Sequence, residues 1–499
     1  MVPDMTDAGS VKQIIESKLK NYKFINISNR EPYIHTRKNG DIKCNIPAGG
    51  LTAALDPLMQ ACGGTWIAWG SGDADKDVVD DKDRVKVPPD SPKYTLKRVW
   101  MTKDEVNKFY FGFANQTLWP ICHYVYQKPV FDPSFWETYR HVNQLYAKAI
   151  LEEIEGQDNV YLWVQDYQLA LVPELIRKSE KIKGKNVVIA DFWHIPWPSW
   201  EIFLLIPSAK EILKGLLGND LIGFHLPQYC YNFLENVSKI LNLPVDYEKG
   251  NIEYDGRTIK VKPFPISVDF EAIDSASRKK EVEDEMKKIR SDEFMPFPYI
   301  GVGVDRLDYT KGIIERFNAI DWLLEKKPDL QKKFVFVEAG APSRGEVPAY
   351  QQLNHDIIEL VEKINNKYEK NGWKPIIYLE KKLDYSFLLA LYRTADLCIV
   401  SSLHDGMNLV AKEFISANVD EKGVLILSKF AGAAKELEES LLINPYDIQE
   451  FAEAINQAIT ISPEKRKESA SSLRMNVKEN NIYKWLQNFI TESTKNLGI

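Results

Sequence analysis

Short apolar runs rich in β-branched and aromatic residues recur along the chain and alternate with longer amphipathic stretches. In the first half the runs are FINIS at 24–28, NVYLWVQD at 159–166, NVVIADFWH at 186–194 and DLIGFH at 220–225. A second series comprises YIGVGVD at 299–305, KFVFVEAG at 333–340, PIIYLEK at 375–381, DLCIVSS at 396–402 and GVLILSK at 423–429. Continuous apolar strands separated by helices are the pattern of a parallel sheet buried on both faces. Two such series predict an α/β protein with two doubly wound, Rossmann-like domains. In such sheets ligands sit outside the carboxyl ends of the strands, so the residues that follow each run carry the candidate chemistry.

The join between the two series falls near FPISVDFEAI at 264–273, read as a Pro-containing strand that gives way to the charged helical stretch SRKKEVEDEMKKIRSDE at 277–293. That stretch reads as a solvated helix face. The segment NNIYKWLQNFI at 480–490 has apolar residues at helical spacing and is expected to pack back on the first domain.

Composition narrows the function class. The 499 residues carry a net charge of −7, with 44% hydrophobic and 27% charged residues. An acidic balance gives no general attraction to nucleic acid or to anionic lipid, so any bound anion must be met by a local cluster. The five cysteines, Cys44, Cys62, Cys122, Cys230 and Cys398, are scattered and never spaced as CxxC, which points to a cytoplasmic, reducing setting without a zinc site. No basic leader and no apolar run of about 18 residues marks the chain for export or a membrane.

Several motifs carry chemistry. GVGVDRLDYTKG at 301–312 opens like a dinucleotide fingerprint, but Arg306 stands where the third glycine belongs, so the nicotinamide signal is weak. Arg306 and Lys311 just past a buried strand suit a diphosphate instead, the arginine as a planar fork and the lysine as a point charge. In SSLHDGMNLVAKEF at 401–414 a strand ends, Asp405-Gly406 make a turn, and a helix follows. The backbone N–H groups from Gly406 to Val410 would then be donors for phosphate oxygens, with Glu413 one turn inside. In the first half Arg30 follows a strand, and Gly49-Gly50 permit close backbone approach before LTAALDPLMQ. His194 and the tryptophans Trp66, Trp119, Trp193, Trp197 and Trp200 are core residues or a sugar-binding set; aromatic faces and polar tips match what a sugar needs. DADKD at 73–77 reads as an acidic surface turn, because Val78 stands where a calcium loop requires glycine. GxxxxGK[ST], HExxH and GxSxG are all missing.

Taken together, these motifs closely resemble those of the trehalose-6-phosphate synthases, retaining glycosyltransferases with two Rossmann domains. The resemblance runs from about Phe24 to the C-terminus, and RLDYTKG followed by DGMNLVAKE is highly specific. It implies two doubly wound domains facing a central cleft, the GT-B type. Residues 1–268 would bind the acceptor and 269–474 the nucleotide sugar, with 475–499 returning to the first domain. It implies transfer of glucose from a nucleotide-diphosphate glucose, UDP-glucose first, to glucose 6-phosphate, with no metal and no cofactor. The partners are then the sugar-nucleotide donor and the sugar-phosphate acceptor, and a homo-oligomer is compatible with the sequence. Two other functions are weighed: a glucosylglycerol-phosphate synthase using glycerol 3-phosphate, and a catalytically silent regulatory relative.

Residue by residue, the match implies that Arg306 and Lys311 hold the donor diphosphate. Gly50, Asp405, Gly406, Met407, Asn408, Leu409 and Val410 would cradle glucose and pyrophosphate, and Glu413 the ribose. Arg30, Tyr110, Trp119 and Arg344 map to the acceptor phosphate site, and Trp66, Asp166 and His194 to residues around the two sugars. The catalytic set is His194, Asp166, Arg306, Lys311 and Asp405. Without a phosphorylated acceptor, Arg30 and Arg344 would be two buried cations facing each other. Two departures from the family pattern are Gln168, where many members have His, and FWHIPWPSWEIF, richer in tryptophan than FLHIPFPSSEIF.

Overall fold

The computed structural model describes residues 8–47, 50–291, 295–370 and 372–495. The chain divides into two units, Met1–Ile266 with Tyr483–Ile499, and Ser267–Ile482. The first contains β1 (Lys23–Ile27), β2 (Ile34–Lys38), β3 (Asp41–Asn45), β4 (Thr65–Trp69), β5 (Arg84–Val87), β6 (Tyr94–Val99), β7 (Asn159–Gln165), β8 (Asn186–Phe192), β9 (Leu221–Phe224), β10 (Val245–Asp246), β11 (Asn251–Tyr254) and β12 (Arg257–Pro263). β2 and β3 form a separate antiparallel hairpin. The other ten make one sheet in the order β10-β11-β12-β9-β8-β7-β1-β4-β6-β5. Its seven central strands are parallel, and antiparallel strands finish both edges. Among the seven parallel strands, chain order runs outward in both directions from the β1–β7 pair. That reversal leaves an opening at the carboxyl ends of β1 and β7, since the two connections depart to opposite faces.

The apolar runs form strands because both faces of the sheet are covered: in β7 every residue from Val160 to Gln165 is buried. The helix Ile482–Thr494 supplies part of that cover. Its Phe489 ring stacks on Trp163 at 4.7 Å, its Trp485 meets Phe192 edge-on at 5.0 Å, and Ser493 Oγ lies 2.7 Å from the Tyr161 hydroxyl. The helix before it, Pro463–Glu479, stays with the second unit, where Arg474 pairs with Asp274.

The second unit holds β13 (Tyr299–Arg306), β14 (Phe334–Ala341), β15 (Ile376–Leu379), β16 (Leu397–Val400), β17 (Val424–Ser428) and β18 (Leu441–Ile443). All are parallel, in the order β15-β14-β13-β16-β17-β18, so this sheet reverses between β13 and β16. Phe317, Phe336, Leu397, Ile426 and Phe451 belong to its core.

Three expectations need correction. Residues 264–269 form no strand. Pro263 and Pro265 have no N–H to donate, and after the bond from Phe264 N to Phe224 O the segment pairs with no strand, Val268 O accepting instead from Ile482 N. The charged stretch is helical over Lys280–Ile289 and is not wholly solvated, since that helix turns Val282 and Ile289 inward. Asp75 of DADKD is fully buried rather than a surface residue, because donors from other segments surround its carboxylate.

Candidate active site

Arg30 leaves β1 at the first reversal point, and its Nη2 lies 3.3 Å from the Tyr110 hydroxyl. Tyr110 sits on the wide-turn helix Asn107–Leu118. Such i→i+5 stretches are rare and cluster at functional sites. Side chains five residues on cap the carbonyls there, Asn115 Nδ2 to Tyr110 O at 2.7 Å and Gln116 Nε2 to Phe111 O at 3.0 Å. Trp119 follows directly, its ring 4.0 Å from His123 and 5.9 Å from Tyr167.

Trp66 stands apart from these. Its indole is fully buried in β4, and its N–H donates to Ser28 Oγ at 2.8 Å, while that hydroxyl donates to Arg30 O at 2.6 Å. The sequence grouped Trp66 with sugar contacts; the structure puts it behind the strand end, where it holds the backbone that carries Arg30.

A second support escaped sequence reasoning. Arg98, buried in β6, donates from Nε to Glu31 Oε2 at 2.9 Å and pairs through Nη2 with Asp75 Oδ1 at 2.7 Å. Asp75 also accepts from His35 N and Gly72 N. This is why it lies inside: three donors satisfy a carboxylate that would otherwise be costly to bury. Burial pushes the Glu31 carboxyl up to about 8 against the pull of Arg98. Burial would raise Asp75 as well, but its hydrogen bonds with His35 and Glu31, together with Arg98, hold it below the ordinary range.

At the end of β7, Asp166 adopts φ 72°, ψ 171°, a region nearly exclusive to glycine. Two bonds hold it there: its N–H donates to Phe192 O at 2.8 Å, and its Oδ1 accepts from His194 N at 3.1 Å. His194 Nε2 lies 2.9 Å from Gln165 Oε1, and Gln165 Nε2 is 3.0 Å from Asn26 Oδ1. Burial, then the neighbouring His225, keeps the His194 imidazole well below its ordinary value of 6.5, hence neutral. Gly50 opens the helix Gly50–Cys62, whereas Gly49 lies outside the described residues.

The second reversal point gathers the other candidates. Arg306 ends β13, and the turn Tyr309–Lys311 follows. Lys311 Nζ lies 2.5 Å from Asp405 Oδ2. Asp405 Oδ2 also takes Asn408 Nδ2 at 3.2 Å and Ser402 Oγ at 3.3 Å. Asn408, at φ 76°, caps the helix Leu409–Ala417 by accepting from Ala411 N. Leu409 and Val410 are in its first turn, whose N–H groups have no intrahelical acceptor. Residues 405–407 are held from the other side: Gly432 N donates to Asp405 O and Ala433 N to Met407 O. A Cβ on Gly432 would come within 2.0 Å of Gly406 O, so only glycine allows this approach. Glu413 is half-buried; burial raises its carboxyl and the Tyr392 hydroxyl opposes the shift.

Arg344 is not an uncompensated cation. Its Nη1 lies 3.1 Å from Asp308 Oδ2 and also meets the Tyr350 hydroxyl. Burial would raise Asp308, but Arg344, Lys311 and Arg306 together hold it below the usual carboxylate range. Among the described residues no group of three or more metal-ligating side chains stands together, and no helix is long and apolar enough to cross a membrane.

Two Rossmann-like sheets, one after the other in the chain, and a likeness to solved trehalose-6-phosphate synthase structures place the fold in the GT-B class of glycosyltransferases. The chain belongs to glycosyltransferase family 20, whose model matches residues 22–495. An alpha,alpha-trehalose-phosphate synthase (UDP-forming) of Candida albicans is 36% identical over 475 residues, covering 95% of this chain and 97% of the relative. A solved structure from E. coli, bound with UDP-2-fluoro glucose, superimposes with a TM-score of 0.82 at 31% identity, over 95% of this chain and 99% of that one. An alpha,alpha-trehalose-phosphate synthase (UDP-forming) from Burkholderia xenovorans in complex with glucose-6-phosphate gives 0.82 at 31% identity, over 94% and 99%.

Proposed function

We propose that this enzyme transfers glucose from UDP-glucose to glucose 6-phosphate, giving trehalose 6-phosphate and UDP with retention at the donor carbon. The observation that carries the reading is the second reversal point, where Arg306, Lys311 and the helix starting at Leu409 converge. Two cations and a helix N-terminus favour a departing diphosphate. The names of the relatives supply the two substrates.

In this reading C1 of the donor glucose loses its bond to the β-phosphate oxygen, whose electron pair leaves with UDP. The acceptor hydroxyl oxygen forms the new bond on the same face, and its proton passes to the leaving phosphate. Arg306 and Lys311 meet the developing charge. Asp405 to Val410 and Gly50 hold the glucose and pyrophosphate, and Glu413 the ribose. Neutral His194 and Asp166 contact the sugars, while Arg30, Tyr110, Trp119 and Arg344 are assigned to the acceptor and its phosphate. The setting is the cytosol, for which the cysteines held as thiols are the support.

The test is UDP release from UDP-glucose with glucose 6-phosphate, glycerol 3-phosphate or neither, with the anomeric configuration of the product read by NMR. An α,α-linked product formed only with glucose 6-phosphate is expected. Efficient use of glycerol 3-phosphate moves the protein to the glucosylglycerol-phosphate reading, and a glucosyl-aspartate adduct seen by mass spectrometry overturns the front-face mechanism.

A further inference from the structure

Beneath the loop that carries Lys311 lies a charged cluster that the apolar pattern conceals. Glu338 interrupts the run FVFVEAGA of β14 and is fully buried, as is Arg316 on the helix Ile313–Lys326. Arg316 Nη1 is 2.5 Å from Glu338 Oε2, Nη2 is 2.7 Å from Asp305 Oδ2, and Nε donates to Ser401 Oγ at 3.0 Å. The Ser401 hydroxyl in turn stands 3.0 Å from Lys311 O and 2.8 Å from Gly312 O. One guanidinium thus links β14, the end of β13, the end of β16 and the carbonyls of the lysine loop.

Glycines make room for this arrangement. A Cβ on Gly303 would fall 2.1 Å from Arg316 Nη1 and 2.4 Å from Glu338 Oε2, and one on Gly312, at φ 64°, would fall 2.1 Å from Ser401 O. Gly303 and Gly312 therefore serve the buried charges and the close loop, while Gly301 makes room for the Phe336 ring. Strand pairing does not require such a cluster, because apolar side chains of similar volume are often at least as stable as a buried ion pair. What a fork with fixed partners adds is a defined position for whatever it touches.

We propose that Arg316, held by Asp305 and Glu338 and acting through Ser401, is the positioning residue that fixes Lys311 against the donor diphosphate. The inference rests on the reading that Lys311 meets that diphosphate. Without the Arg316–Ser401 link the Lys311 carbonyl loses its side-chain anchor and Gly312 O keeps the backbone N–H of Arg316, so the start of the lysine loop is held less firmly while Nζ still faces Asp405.

The experiment compares Ser401→Ala, Arg316→Lys and Lys311→Ala, singly and as the Ser401→Ala/Lys311→Ala pair. Arg393→Lys is the control, a buried arginine of the same unit that binds Asp420 and Ser277 O. Binding of UDP is read by calorimetry, both Michaelis constants are measured, and thermal midpoints report folding. Ser401→Ala and Arg316→Lys should weaken UDP binding about tenfold or more while moving the acceptor constant less than about twofold. Added to Lys311→Ala, Ser401→Ala should cost little further, since coupled residues are non-additive. Effects that add, or UDP affinities no lower than that of Arg393→Lys, overturn the inference while leaving the donor site standing. Unchanged UDP affinity in Lys311→Ala removes the donor-site reading and this inference with it.

Discussion

Lys311 Nζ lies 2.5 Å from Asp405 Oδ2, although the two residues are 94 positions apart in the chain. They meet because β13 and β16 are neighbours where the second sheet reverses its order, so the loops after both strands emerge side by side. The pair is mostly buried, so each charge compensates the other, and in the proposed reading the donor diphosphate would share the lysine.

From this pair follows the first prediction. Lys311→Ala or Arg306→Ala should lower kcat/KM for the donor about ten- to hundredfold, the equivalent of one charge-assisted hydrogen bond of about 1.5–3 kcal/mol. Activity should survive a chelator, and loss on chelation with return on adding magnesium would contradict charge compensation by these side chains.

Acceptor recognition is the second. Arg344→Ala should raise the Michaelis constant for glucose 6-phosphate about tenfold with little change for the donor. Because Asp308 then loses its nearest cation, the thermal midpoint should fall too, and Arg344→Lys should recover stability better than acceptor affinity. The Asp308 pair weakens the case that two bare cations exclude free glucose, so selectivity should come from the hydrogen bonds that the acceptor phosphate itself accepts. Steady-state kinetics with glucose and glucose 6-phosphate measure it.

His194 gives a pH dependence with a definite sign. Its folded value lies well below 6.5, so as pH falls below 6.5 the unfolded chain takes up a proton that the folded chain refuses. Its contribution to stability is therefore present above 6.5 and declines as pH drops toward the folded value. An NMR titration of the ring should show no protonation near 6.5 in the folded protein, and a midpoint there would refute the neutral assignment.

Packing around Arg316 predicts a contrast between two glycines of one unit. Gly303→Ala forces a methyl group into the guanidinium and should cost about 1–3 kcal/mol while weakening UDP binding. Gly345→Ala, with no atom within 4 Å of its Cβ, should stay within about 0.5 kcal/mol of the parent by thermal denaturation.

The backbone of Asp166 offers the last. Asp166→Gly and Asp166→Ala both remove the carboxylate, but only glycine accepts φ 72°, ψ 171° without strain. The glycine variant should be the more stable by about 1 kcal/mol, with both equally impaired in turnover. Equal melting temperatures would mean that the residue relaxes once its side chain is gone.

The sequence by itself determined the strands that are buried on both faces. β1, β7, β8 and β9 in one unit and β13, β14, β16 and β17 in the other read as largely apolar runs because most of their residues are buried on both faces of the sheet. It also singled out the residues just past those strands, Arg30, Asp166, Arg306 and Asp405, since sheet topology sends ligands to carboxyl ends whatever the details. Only the tertiary structure decided what lies beneath them. β6 carries Lys97 and Arg98, so it lacks the apolar signature, and its arginine is tolerable inside only because Glu31 and Asp75 arrive from distant segments. Trp66 looks like a sugar platform until Ser28 is found against its N–H, and Asp75 looks like a surface turn until Arg98 is found beside it. A buried charge or polar group takes its meaning from its partner. Periodicity along the chain reports which face a residue occupies, whereas the partner is set by which strands the folded sheet makes neighbours.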